Sequence, residues 1–183
     1  MNKILFILIS IAFTTIEAFP QQNIDFGTVD NFFIFTGGGA VANTGISTIT
    51  GNVGSHVGAI AGFGAPSVLN GVIENANSVT AAAYVDLEAA CIQLQNTPAT
   101  ITEHIAVFGS TAGETIFPGV YEIASAASIT GTLTLDAQGD PDAMFIFKIT
   151  GAFNSEAGST ILLADEALSD NVFWFATGAV GLG

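Results

Sequence analysis

A chain of 183 residues, half of them apolar, holds enough material for one domain with a substantial core and too little for two. Its 16 acidic residues face two lysines and no arginine, for a net charge of -14. Such a chain cannot neutralise phosphates, which excludes nucleic-acid binding and disfavours nucleotides, phosphorylated substrates and anionic membranes. Mutual repulsion instead keeps a very apolar chain in solution.

The apolar run Ile4 to Phe13 is too short to span a bilayer. With Lys3 before it and small or polar residues after it to Ala18, it reads as a secretory signal peptide over residues 1–18, cleaved after Ala18. The alternative is a retained membrane anchor. Cleavage leaves a secreted domain over 19–183 with Lys148 as its one lysine and the net charge unchanged.

Residues 24–74 read as strands and turns. Their aromatic segment Asn31 to Val41 (NFFIFTGGGAV) returns as Ala143 to Phe153 (AMFIFKITGAF) and Asn171 to Val180 (NVFWFATGAV), each running into Thr-Gly or a close equivalent. A second pair, Ser47 to Val53 and Ser128 to Thr134, repeats a β-branched strand before Thr-Gly. Repeated short segments are the mark of stacked structural units. Asn75 to Gln95 lacks proline and glycine and places Ala76, Val79, Ala83, Leu87, Ala90, Cys91 and Leu94 at helical steps, so a helix over about 75–95 is expected, closed by Asn96, Thr97 and Pro98. Cys91 is the only cysteine; no intramolecular disulfide can form, and a small buried core position is expected for it, with a nucleophile as the minor reading.

A loop over 96–118 precedes strands and turns to the end. In the strand Phe145 to Ile149, Phe145, Phe147 and Ile149 share one face, which must be buried, and Ile146 and Lys148 the other. Ile146 calls for partial cover on that second face, and the helix is the element able to provide it. The expected fold is mainly β, a solenoid with a flanking helix; an antiparallel sandwich is the alternative.

The segment Thr130 to Ile149 (TGTLTLDAQGDPDAMFIFKI) resembles the signature of the microbial ice-binding domain of the DUF3494 type. Agreement extends to Asn43–Gly64, Ser78–Cys91, Phe117–Tyr121 and Asn171–Val180, essentially the whole mature chain. This resemblance implies a right-handed β-helix of triangular cross-section with a long α-helix alongside and an ice-binding surface on a flat face. Family domains continue beyond the NVFW segment, so the chain is expected to be incomplete at its C-terminus. The family's loose Thr-Ala/Gly-x-Thr/Asn pattern has three imperfect counterparts: Thr44 to Ser47, Ser125 to Ser128 and Ala157 to Thr160. Candidate ice-binding residues are therefore Thr44, Ser47, Ser125, Ser128, Ser159 and Thr160, with simple solenoid turns as the competing explanation. Serine at many of these positions lacks the methyl group of threonine and predicts modest activity.

Other constellations are weaker. Asp136, Asp140 and Asp142 lack the spacing of a calcium loop and read as a turn shaped by Gly139 and Pro141. The acid pairs Asp140/Asp142 and Asp165/Glu166 have no supporting motif for glycoside hydrolysis. His56 and His104 form no metal-ligand spacing and read as turn or loop residues. The expected function is a secreted, monomeric ice-binding protein that is not an enzyme, has no cofactor or metal, and touches neither nucleic acid nor, after cleavage, membrane. A structural or adhesive solenoid module is the alternative, and a carbohydrate-active β-helix enzyme the third.

Overall fold

The computed structural model describes residues 24–110 and 112–182. The expected signal segment and its cleavage site lie outside them. Two stacks of parallel β-coils are joined by one helix. In the first stack, β1 (Phe32–Thr36), β2 (Val41–Ala42) and β3 (Thr48–Thr50) form one coil. Beside it lie β4 (Asn52–Ser55), β5 (Ile60–Ala61) and β6 (Val68–Asn70), and β7 (Ile73–Asn75) opens a third coil. After α1 (Ser78–Asn96), the second stack begins with β8 (Val107–Phe108) and β9 (Glu114–Ile116). It continues through β10 (Gly119–Ile123), β11 (Ala127–Ile129) and β12 (Thr132–Asp136), then β13 (Phe145–Ile149), β14 (Phe153–Ser155) and β15 (Thr160–Ala164), and ends with β16 (Val172–Ala176) and β17 (Val180–Leu182).

Every inter-strand pairing among the described residues is parallel, and each complete coil contributes one strand to each of three sides. Face A holds β1-β4-β7 and β10-β13-β16; face B holds β2-β5 and β8-β11-β14-β17; face C holds β3-β6 and β9-β12-β15. This is a three-sided β-helix, and the parallel ladders rule out the sandwich. The three aromatic repeats become β1, β13 and β16, all on face A. The second sequence pair is not equivalent: Ser47 to Val53 crosses the corner from face C to face A, and Ser128 to Thr134 the corner from face B to face C. A β-branched strand before Thr-Gly marks a corner without saying which one.

Phe145, Phe147 and Ile149 point inward and are fully buried with Phe108, Ile129, Leu133 and Leu135. Rings stack from coil to coil: Phe147 lies 3.8 Å from Trp174 and 5.3 Å from Tyr121, and Trp174 4.6 Å from Phe153. Each fully buried side chain of this size contributes about 1.5–3 kcal/mol. Ile146 faces outward and is covered by Ala90 and Leu94 of α1 together with Ile24 and Val120. Face A is thus closed by the helix.

The helix starts at Ser78, three residues after the expected start at Asn75, and the capping chemistry explains why. Asn77 accepts hydrogen bonds from the amides of Val79 and Thr80, and Thr80 Oγ1 accepts from the amide of Asn77, a reciprocal cap. Ala76 therefore lies outside the helix, at φ 47°. Ala83, Ala90 and Leu94 are buried as expected, but Val79 is exposed and Cys91 only half-buried. Burial pushes the Cys91 thiol above its ordinary pKa, with the Glu88 charge adding to it. At the far end, Lys148 donates from Nζ to the carbonyls of Gln95 (2.9 Å) and Thr97 (3.0 Å). Lys148 thus caps the helix C-terminus, where a cation complements the dipole and satisfies orphan carbonyls.

At about 1.5 Å per residue the 19-residue helix is about 28 Å long. That is enough to run from β7, which immediately precedes it, to β13 and β10 beneath its last turns. An N-terminal strap secures it from outside. Asp86 accepts from the amide (2.8 Å) and hydroxyl (2.6 Å) of Thr28, and Phe26 stacks on Phe173. These two bonds, hydroxyl first, hold the Asp86 carboxyl below its ordinary pKa.

Candidate functional site

With face A occupied, the free broad surfaces are B and C. On face B the first residue of β2, β5, β11 and β14 turns inward: Val41, Ile60, Ala127, Phe153. Apart from the terminal coil of β8, where Ile105 and Val107 are exposed, what remains outside is small or uncharged. Register places Gly39-Ala40-x-Ala42 beside Gly58-Ala59-x-Ala61 in the first stack. In the second, Ser125-Ala126-x-Ser128, Gly151-Ala152-x-Asn154 and Gly178-Ala179-x-Gly181 lie side by side. Five coils thus repeat one pattern, Gly or Ser, then Ala, then an apolar residue that is inward in all but the last coil, then a small residue or Asn154, with no charged side chain among them. Only the Ser125 coil was legible in the sequence, because in the others glycine or alanine replaces the hydroxyls that define the pattern.

Space at the A–B corner explains part of that replacement. A Cβ at Gly178 would lie 2.7 Å from the amide nitrogen of Ala152, and one at Gly58 would overlap the carbonyl oxygen of Gly39. Adjacent coils approach too closely there for a side chain. Threonine at the first position of the pattern is therefore sterically barred on these coils.

Face C has a different texture. Its outward residues include Thr48, Thr50, Thr115, Thr132, Thr134 and Thr160, with Thr134 aligned between Thr115 and Leu162, and Thr132 beside Thr160. Asp136, Val68, Asn70 and the exposed Leu162 interrupt the array. Face C carries more threonine but is rougher and bears a charge.

The six sequence candidates do not form one row. Ser125 and Ser128 lie on face B. Thr44 and Ser47 lie in the turn from face B to face C of the first stack, and Ser159 and Thr160 at the corresponding corner of the second, with Thr160 opening β15. Ser47 is engaged inward: its hydroxyl donates to Asn43 Oδ1 (2.8 Å), and its amide donates to Ser67 Oγ (3.2 Å). Ser67 Oγ in turn donates to Gly45 O (3.1 Å), so this corner is a closed polar network. Thr44 and Thr160 are exposed.

The aspartate cluster has an internal use. Asp136 Oδ1 accepts from the amide of Gln138 (2.8 Å) and Asp140 Oδ1 from the amide of Asp142 (3.0 Å), the Asx geometry that shapes a turn. His104 departs from a bland loop role. Its ring stacks on Phe108 at 4.5 Å and its Nε2 lies 3.0 Å from Glu114 Oε1, over the end of the second stack.

A parallel three-sided solenoid with one helix-covered face defines the class of β-helix proteins. Within it, the Ice-binding-like family matches residues 35–183, and the chain belongs to that family. It is 35% identical over 185 residues to the ice-binding protein of Nostoc sp. (strain HG1), covering 100% of this chain and 66% of that protein. The crystal structure of an ice-binding protein from an Antarctic Flavobacteriaceae bacterium superposes with a TM-score of 0.82 at 41% identity, over 88% of this chain and 37% of that one. That of an ice-binding protein from the Antarctic ascomycete Antarctomyces psychrotrophicus gives 0.79 at 29%, over 87% and 78% respectively. This chain spans less than two thirds of the length of the first two relatives.

Proposed function

We propose that this protein is secreted through residues 1–18 and adsorbs to ice through face B, slowing ice growth and recrystallisation by surface contact rather than catalysis. The carrying observation is the in-register array of Ala40, Ala42, Ala59, Ala61, Ala126, Ser128, Ala152, Asn154 and Ala179. Coils repeat about every 4.8 Å, so such residues form a regular, flat lattice. Flatness brings the whole surface within one water layer of a crystal plane, and the absence of charge leaves that layer free to order. Family membership and ice-binding relatives of high structural similarity support the same reading. Few hydroxyls on the face favour modest rather than strong activity.

A specific observation favours face C as the second reading: six outward threonines supply both hydroxyl and methyl groups. One experiment separates the two. Ice recrystallisation inhibition is measured for the protein, for Ser128→Tyr with Ala152→Tyr on face B, and for Thr134→Tyr on face C. Face B predicts that the double variant, still folded by circular dichroism, loses most of its activity while Thr134→Tyr keeps it. The reverse result moves the site to face C. Inactivity of the unsubstituted protein would favour a structural or adhesive module.

A further inference from the structure

The end of the second stack farthest from β16 is closed by His104 and Glu114. Glu114 pairs in register with the inward-facing Leu133, so its side chain turns toward the solenoid axis. Glu114 Oε2 accepts from the amide of Gly109 (2.8 Å). The His104 ring lies parallel to Phe108 at 4.5 Å, meets the edge of Tyr121 at 5.6 Å, and is 13% exposed. Its Nε2 is 3.0 Å from Glu114 Oε1 and its Nδ1 2.7 Å from the carbonyl oxygen of Ile105. Together they form the lid over the terminal core layer.

A carbonyl oxygen and an ionised carboxylate only accept hydrogen bonds, whereas a neutral imidazole has a single N–H. A neutral ring can therefore satisfy one of these contacts and must set a lone pair against oxygen at the other. The imidazolium, with two N–H groups, satisfies both. We propose that His104 is a proton-operated latch: protonation locks the 102–106 loop across the end of the solenoid, and deprotonation releases one of its two attachments.

The surroundings isolate this response. Glu114 is the carboxylate facing the ring from β9. On β10 it meets Tyr121, whose phenol donates to the Phe117 carbonyl and titrates in the alkaline range, and on β8 it meets the uncharged Phe108. Glu103, in the same loop, is exposed. Protonation adds a bond in the folded chain and none in the unfolded one. The latch's contribution to stability is accordingly greater at lower pH than at higher pH.

The test uses the full chain with thermal melting at about pH 5.5 and about pH 8, bracketing the imidazole range, for the protein, His104→Gln and Glu114→Gln. The unsubstituted protein should lose about 3–6 °C more on going to the higher pH than either variant. Nitrogen-15 NMR of the unsubstituted protein should show both His104 ring nitrogens protonated at the lower pH. Amide exchange at Gly109 should be about tenfold faster at the higher pH, after correction for intrinsic exchange. Equal pH responses in all three proteins, or a singly protonated ring at the lower pH with Gly109 still protected, would overturn the latch. The NMR measurement decides the question if either variant fails to fold.

Discussion

The two stacks share one architecture and hold themselves together differently. The second has a continuous apolar interior in which Tyr121, Phe147, Trp174 and Phe153 stack along the axis above Phe108 and the buried aliphatics. The first has few fully buried apolar side chains, Val53 foremost, and relies on the network of Asn43, Ser47 and Ser67 and on the buried Ser55, whose hydroxyl donates to Gly39 O. The same coil can thus be closed by packing or by polar satisfaction. The packed version gains from area removed from water, whereas the polar one gains little net energy but costs much when broken.

The sharpest way to break this comparison is a pair of truncations read by chemical denaturation. Phe147→Ala removes the centre of the ring stack and should cost about 3–5 kcal/mol. Ser67→Ala removes the acceptor of the Ser47 amide and one of the acceptors of Asn43 Nδ2, and should cost about 1–3 kcal/mol. Equal costs, or a larger one for Ser67→Ala, would show that the first stack is not the weaker half. Next in size is the link between the stacks. Lys148→Met leaves the carbonyls of Gln95 and Thr97 without their cation and should cost about 1 kcal/mol, with faster amide exchange concentrated in the last turn of α1.

The smallest expected effect concerns the strap. The Asp86 carboxyl is held below its ordinary pKa by Thr28, so its contribution is present above the ordinary carboxylate range and is lost as pH falls through the lowered value. Asp86→Asn should therefore lower the melting temperature slightly near neutral pH, and the gap from the unsubstituted protein should close in acid. No gap at neutral pH would mean that the strap is held by packing of Phe26 and Ile24 alone.

Much of the fold was legible in the chain. The aromatic repeats at Phe32, Phe145 and Val172, the alternation through Phe145 to Ile149, and the helix of small residues ending at Thr97 follow from periodicity and punctuation, which are local properties. The partner of Ile146 was anticipated because an apolar residue on an outer face demands cover. The candidate site was legible only in part, because Ala40, Ala59, Ala152 and Ala179 have no distinguishing local signal. They become a surface only when register aligns them, and register depends on coils separated by 19 to 27 residues pairing edge to edge. Sequence by itself determined that this protein would be an acidic, disulfide-free solenoid with a covering helix, since composition and repeat dictate what must be buried. Only the tertiary structure decided which small residues share a face, that Ser47 turns its hydroxyl inward while Ser128 stays on face B, and that His104 closes an end, because those outcomes depend on which side of a coil each residue meets its neighbour.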